Sequence, residues 1–202
     1  MKKEFLIGID EAGRGPLAGP VAVGCVKCAR GFDTKLLKGI RDSKALSEKQ
    51  REEWFKKLEA WEKAGLLDYS VTLVSASIID AKGISHAIRS GIKNCLKKVK
   101  ADPKKTLVLL DGSLKAPAEF IYQKTIIRGD ATEPAISMAA IAAKVTRDRM
   151  MKKMALIHRF YGFEIHKGYG TAAHRAEIRL RGPSPVHRIS FLKNILQKEP
   201  FS

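Results

Sequence analysis

Residues Ile7–Val23 read IGIDEAGRGPLAGPVAV. An apolar run, Phe5–Ile9, ends in two adjacent acids, Asp10 and Glu11. Gly13-Arg14-Gly15 then leads into a second apolar run, Val21–Val26. Short β-branched runs bounded by glycine read as buried strands, and two this close together suit an antiparallel hairpin. Three more runs of strand length follow at Tyr69–Val74, Thr106–Leu110 and Thr125–Ile127. Helical patterns lie between and after them. Ser47 opens a capping box with Gln50, and the helix behind it runs through Trp54, Leu58 and Trp61 to a stop at Gly65. A second helix fits Ile84–Val99, with Ile84, Ala87, Ile88, Ile92 and Cys95 inward and Lys93, Lys97 and Lys98 outward. A third fits Pro134 to about Tyr161. Its first half, AISMAAIAA, is apolar nearly all round, which buries it in the middle of the fold. Strands first, then strand and helix alternating, then helices, predict an α/β domain with a mixed sheet and a helical C-terminal part.

The 202 residues suffice for one domain with a real core. No run approaches the 18 or so apolar residues of a membrane span, and the N-terminus lacks the apolar stretch and cleavage site of a secretory signal. Three cysteines fit a reducing compartment, so the expected location is the cytoplasm. Cys25 and Cys28 form a lone CxxC inside a strand, where residues three apart face opposite ways and are poorly placed to share a zinc ion, so they read as structural or incidental cysteines. The charge says more: 38 Lys+Arg against 21 Asp+Glu give a formal +17. Such a surplus suits a polyanionic partner, although a merely solubilising surface would also carry it. Residues 151–202 are more basic still, with ten Lys/Arg and three Asp/Glu. The expected organisation is a core at 1–150 and a basic, mainly helical region at 151–202 packed on it as one structural unit.

Acids at strand ends recur in this basic chain. TLVLLDGS ends a strand in Asp111, and KTIIRGD places Asp130 just past another. In α/β sheets, sites are built at the carboxyl ends of strands. If these strands are neighbours, Asp10, Asp111 and Asp130 converge. Converging carboxylates repel and raise each other's pKa. Hard oxygen ligands suit Mg²⁺ or Mn²⁺, and two such ions can bridge a phosphodiester, activating water and supporting the leaving oxygen. The plainer alternative is that each Asp only opens a turn. Glu11 would face away from Asp10 in a continuing strand, so it joins the cluster only if the chain turns at once at Gly13 and Gly15.

At these residues the sequence resembles the type 2 ribonucleases H (ribonuclease HII). The likeness is carried by six blocks in order. They are GIDEAGRGPLAGPV near the start, DSKALS at Asp42–Ser47, LLDGS at Leu109–Ser113, the stretch from Gly129 to Met151, HKGYGTAAH at His166–His174, and GPSPVHRISF at Gly182–Phe191. The resemblance implies a ribonuclease H-like fold, a mixed five-stranded sheet flanked by helices with a helical C-terminal region. It implies an endonuclease acting on RNA/DNA hybrids and incising 5′ to single ribonucleotides in duplex DNA, the first step of their repair. The products would be 5′-phosphate and 3′-hydroxyl ends. The four family carboxylates fall on Asp10, Glu11, Asp111 and Asp130, with Mg²⁺ or Mn²⁺ as cofactor, two ions in the active complex. Gly13, Arg14 and Gly15 match the loop whose backbone reads the ribose 2′-hydroxyl, and Tyr169 matches the tyrosine that packs at the RNA–DNA junction. The 2′-hydroxyl is what distinguishes RNA from DNA.

Ser43, Lys44 and Lys144 lie in matched blocks and are candidate substrate contacts; Lys144 or Arg147 is also placed to pair with Asp148. His166, His174 and His187 are expected to be structural. Ala140 stands where the family usually has serine, and the expectation there is a packing change. The protein is expected to be a monomer, and the tail QKEPFS is a candidate contact for a replication clamp. Three rivals remain. A type 3 ribonuclease H carries an N-terminal domain for which the roughly four residues before the first strand leave no room. A junction resolvase would not explain the GRG and Tyr169 blocks. A non-catalytic nucleic-acid binder explains the charge but not the acids.

Overall fold

The computed structural model describes residues 3–32, 36, 40 and 46–196. Its strands are β1 (Phe5–Ala12), β2 (Val21–Ala29), β3 (Leu67–Val74), β4 (Thr106–Asp111) and β5 (Gln123–Ile126). They form one sheet in the order β3-β2-β1-β4-β5. β1 pairs antiparallel with β2, and β2 antiparallel with β3. β1 pairs parallel with β4, and β4 parallel with β5. The mixed five-stranded sheet is thus as expected, and the carboxyl ends of β1 and β4 lie side by side.

Alternation along β1 and β2 feeds two cores. Ile7, Ile9, Val23 and Cys25 pack on one face with helix α3 (Ile84–Lys98). Leu6, Val26 and Cys28 pack on the other with α1 (Glu48–Lys63) and the long helix α5 (Pro134–Ile157). Cys25 and Cys28 therefore sit on opposite faces, each a free thiol. The α1 cap forms as the sequence requires: Ser47 Oγ accepts from Gln50 N at 3.2 Å, and Gln50 Oε1 accepts from Ser47 N at 2.8 Å. Helix α2 (Ala76–Lys82), capped by Ser75, precedes α3 and was not expected. Its seven residues are too few to show a helical period.

Helix α5 lies on bare backbone. A Cβ on Gly8 would collide with the Ala135 carbonyl group, and one on Gly24 with the Ala139 carbonyl oxygen. Gly24 pairs with Asp10 across β1–β2, so the close approach occurs beside the first acid. Residues 135–143 of α5 are buried all round. The helix ends at Ile157, short of the expected Tyr161, because His158 leaves helical geometry and Arg159–Tyr161 tighten into a 3₁₀ turn closed by Gly162 in the left-handed region. It also runs unbroken through residue 150, where the basic region was expected to begin.

Beyond it come α6 (Phe163–His166), α7 (Ala172–Arg181) and α8 (Lys193–Leu196), and α4 (Gly129–Thr132) precedes it. Phe163, Ile178, Leu192 and Ile195 pack with Met151 and with Leu17 and Ala18 of the β1–β2 connection. Backbone bonds stitch that connection to the C-terminal region. Leu17 N donates to Gly168 O, Gly19 N to Val186 O, and Arg188 N to Leu17 O, each at 2.8 Å. No helix among the described residues is long and apolar enough to cross a membrane.

Gly24→Ala should destabilise the fold by about 3 kcal/mol or more, because backbone cannot move aside as a side chain can. Gly31→Ala, where a Cβ meets nothing, should stay within about 0.5 kcal/mol of the parent. Urea unfolding of the two variants checks the contrast.

Candidate active site

A cleft of about 410 Å³ opens at the carboxyl ends of β1 and β4. Asp10, Glu11 and Asp111 line it together with Gly13, Arg14, Gly15, Lys144 and Tyr169. Glu11 reaches it although β1 does not turn at once but continues to Ala12. The expected early turn was therefore unnecessary. Glu11 stands at the rim of the sheet, 3.6 Å from Arg14 Nε, and a long side chain there can swing past the strand end. Asp130 does not line the cleft. It lies buried behind Asp111 on α4, and the backbone N–H groups of Gly129 and Asp130 donate to Asp111 Oδ1 at 2.7 and 3.4 Å.

Asp10 is 6% exposed, and Glu11 N donates to its Oδ1 at 2.7 Å. Burial pushes the Asp10 carboxyl up to about 8, and the charges of Glu11, Asp111 and Asp130 push the same way. Among the described residues, no three His, Cys, Asp or Glu side chains are gathered closely enough to hold a metal ion as they stand. Asp10, Glu11 and Asp111 share a cleft rather than a finished coordination sphere. Their chemistry still fits one class of ligand. The donors are all carboxylate oxygens, which suits a hard divalent cation.

Lys144 lines the cleft while its Nζ pairs with Asp148 at 2.9 Å. Arg147 does not pair with Asp148. It is fully buried and donates from Nε to Pro20 O at 2.9 Å and from Nη2 to Ala18 O at 3.2 Å. Ala140, expected to matter for packing alone, is part of the cleft wall. Arg51 on α1 also lines the cleft; no motif pointed to it, because a single arginine on a charged helix looks like solvated surface. Ser43 and Lys44 lie outside the described residues.

Tyr169 is 45% exposed and stands on a short loop between α6 and α7. Three histidines hold that loop. His174 Nδ1 meets Tyr169 O at 2.9 Å, and its Nε2 meets His187 Nε2 at 3.0 Å. Ser184 N donates to His187 Nδ1 at 2.9 Å. The bonds fix each tautomer: His174 donates from Nδ1 to a carbonyl, so its Nε2 accepts from His187 Nε2–H, and His187 Nδ1 accepts. His166 Nε2 meets Tyr161 O at 2.6 Å, and its Nδ1 accepts from Gly168 N at 3.1 Å. Neutral imidazoles satisfy every bond; an added proton breaks one.

The chain matches the family model described as Ribonuclease HII over residues 7–194. It is 42% identical over 192 residues to the ribonuclease HII of Caldicellulosiruptor bescii, covering 95% of this chain and 88% of that one. Its fold is similar to that of ribonuclease H2 from Pyrococcus horikoshii, with TM-score 0.75 and 26% identity over 96% of this chain and 97% of the other. It is also similar to the ribonuclease HII of Archaeoglobus fulgidus, solved as a complex with PCNA, with TM-score 0.71 and 26% identity over 96% and 98%. Fold and likeness together define a hydrolase of the ribonuclease H class. The chain belongs to the ribonuclease HII family.

Burial, reinforced by His174, pushes His187 down from 6.5 to about 4. The folded state thus binds fewer protons than the unfolded chain between those values. The stability this gives is complete above pH 6.5 and is lost as pH falls toward 4, on the order of 3 kcal/mol in all. His187→Gln should flatten the fall of Tm between pH 7 and pH 4.5, as read by thermal melts. Parallel curves for parent and variant would contradict the assignment.

Proposed function

We propose that the protein cleaves the RNA strand of RNA/DNA hybrids and incises 5′ to single ribonucleotides in duplex DNA, leaving 5′-phosphate and 3′-hydroxyl ends. The observation that carries this reading is the meeting of three acids, the Gly13–Gly15 loop and Tyr169 in one cleft of a chain with formal charge +17. Asp10, Glu11 and Asp111, with Asp130 behind them, would hold Mg²⁺ or Mn²⁺, two ions in the active complex. When bound, the metal activates water, offsets the carboxylate charge and supports the leaving 3′-oxygen.

The chain's own residues bind and select. Arg14, Arg51 and Lys144 bring positive charge to the rim of an acidic site and draw in the phosphate backbone. The loop at 13–15 offers backbone to the ribose 2′-hydroxyl at close range. Tyr169 presents a half-exposed ring to a sugar or base and a phenol to the same hydroxyl. The core at 1–150 and the basic region at 151–202 act as one unit, since the loop and Tyr169 come from different sides of that boundary. The protein works as a cytoplasmic monomer in DNA repair and replication. Its proposed clamp contact, QKEPFS at 197–202, lies outside the described residues; PCNA on the Archaeoglobus relative supports that choice.

The deciding assay uses a labelled DNA duplex with one internal ribonucleotide and an all-DNA control. A cut 5′ to the ribonucleotide is expected with Mg²⁺ or Mn²⁺, none with EDTA, and the control should stay intact. Tight binding without a cut in either metal would sink the reading. Asp10→Asn should lower cleavage by orders of magnitude. Its Tm in EDTA should match or exceed the parent's, because one repelling charge is removed. Tyr169→Phe should slow incision at a single ribonucleotide with little change in Tm, and an unchanged rate would remove Tyr169 from the site. Affinity should fall by about 10³-fold between 50 and 200 mM salt if six phosphates are contacted; a flat response would count against phosphate-driven binding.

A further inference from the structure

Arg188 is buried completely, yet among the described residues no carboxylate pairs with its guanidinium. A buried charge is costly unless its donors are satisfied. Here all of the bonds go to backbone carbonyls of the β1–β2 connection. Nη2 donates to Gly13 O at 2.7 Å, Nη1 to Arg14 O at 2.9 Å, and Nε to Gly19 O at 3.0 Å. A guanidinium is a rigid planar fork, so these bonds fix the orientation of two successive peptide planes as well as their position.

That orientation has a consequence for the opposite side of each plane. In a trans peptide the carbonyl of one residue points away from the N–H of the next, and the described chain has no cis bond. With Gly13 O and Arg14 O held inward, the N–H groups of Arg14 and Gly15 point away from the guanidinium. Arg14 and Gly15 both line the cleft, and neither N–H makes a hydrogen bond among the described residues. Two neighbouring, unsatisfied N–H donors form a seat for one oxygen. A cation bonded to the carbonyl ends polarises both peptides in the favourable sense.

We propose that Arg188 is a positioning residue: it aims the Arg14 and Gly15 N–H groups into the cleft, toward the 2′-hydroxyl or the adjoining phosphate oxygen of a ribonucleotide. The inference rests on the proposed function. Two further contacts hold the clamp. The buried Arg147 lies against Gly13, where a Cβ would collide with its guanidinium, so the loop is gripped from a second side. Asp80 on α2 accepts from Ile189 N at 2.8 Å and from Ser190 N at 2.9 Å, which anchors the segment that carries Arg188.

The test compares the parent with Arg188→Gln, Arg188→Lys and Asp80→Ala. Affinities for the all-DNA duplex and for the duplex with one ribonucleotide are measured in EDTA, and cleavage rates with Mg²⁺. Arg188→Gln should bind the all-DNA duplex as the parent does but lose the preference for the ribonucleotide. Its kcat on the ribonucleotide duplex should fall by about 100-fold, the cost of a misplacement near 1 Å. Arg188→Lys keeps the charge but not the fork and should fall between the two. Asp80→Ala, at a partly exposed site, should move the same way by less. Unchanged preference and kcat in folded variants would overturn the proposal. So would a loss equal on every substrate that merely tracks a lowered Tm. If Arg188→Gln does not fold, the other two variants decide by the same criteria. A parent that cuts no ribonucleotide-containing duplex fails the proposed function instead, and the two failures are thereby distinct.

Discussion

The rest of the structure depends on how closely α5 can approach the sheet. Gly8 and Gly24 leave the backbone of β1 and β2 bare, and the carbonyls of Ala135 and Ala139 come down onto it. Once the helix is laid there, its period decides what comes next along one face. Ile136, Ala140, Lys144, Arg147 and Met151 follow at spacings of four, four, three and four. The first is buried against Gly129, the next two reach the cleft, Arg147 meets the carbonyls of the β1–β2 connection, and Met151 joins the C-terminal cluster. One helix thus sets the distance between Asp10 and the α5 wall of the cleft, while Glu11 and Asp111 are placed by β1 and β4. A side chain at either glycine would lift that whole row, so the site is sensitive to a position that touches no substrate.

The β1–β2 connection is the second organising element. It carries no regular structure, yet it is tied by Arg147 and Arg188 and by backbone bonds to Gly168 and Val186. The histidine set continues the chain of bonds from His187 through His174 to the Tyr169 carbonyl. The two candidate substrate-sensing elements, at 13–15 and at 169, are therefore parts of one hydrogen-bonded assembly. Its members come from opposite ends of the chain, and this is why the region after α5 cannot be read as an appendage.

Much of this was legible in the sequence, and the parts that were not share a physical reason. Strand runs, the Ser47 capping box and the all-round apolar start of α5 are local signals, and the structure follows them. Local pattern also led to Asp10 and Asp111, because a strand end followed by Gly is visible in one dimension. The reach of Glu11 was not visible: alternation predicts a face, not how far a long side chain near the strand end can extend. The placement of Asp130 behind Asp111 was equally hidden, since it depends on how a four-residue helix turns. Arg147, Arg188 and Arg51 were illegible for the most general reason. In a chain with 38 basic residues, nothing local separates a buried guanidinium on backbone carbonyls from a solvated one.

That last point bears on why a basic protein places acids where a polyanion is to bind. Arg14, Arg51 and Lys144 line the cleft, with Arg14 3.6 Å from Glu11, whereas the two buried cations, Arg147 and Arg188, make no ion pair with Asp10 or Asp111 among the described residues. Arg147 and Arg188 are bonded to carbonyls, even though burial, and then the charge of Arg147, pushes Arg188 down to about 9. Had either guanidinium paired with Asp10 or Asp111, the carboxylates would be neutralised and unable to attract a divalent ion. Bonded to the carbonyls of Gly13 and Arg14, the charge of Arg188 instead polarises the two peptide planes whose N–H groups are inferred above to face the cleft. Asp10 and Asp111 take neither buried guanidinium as a partner, and the positive ends of the peptides beside them are left for a polyanion. On the proposed function, cation recruitment and substrate recognition would then occupy adjacent walls without cancelling one another.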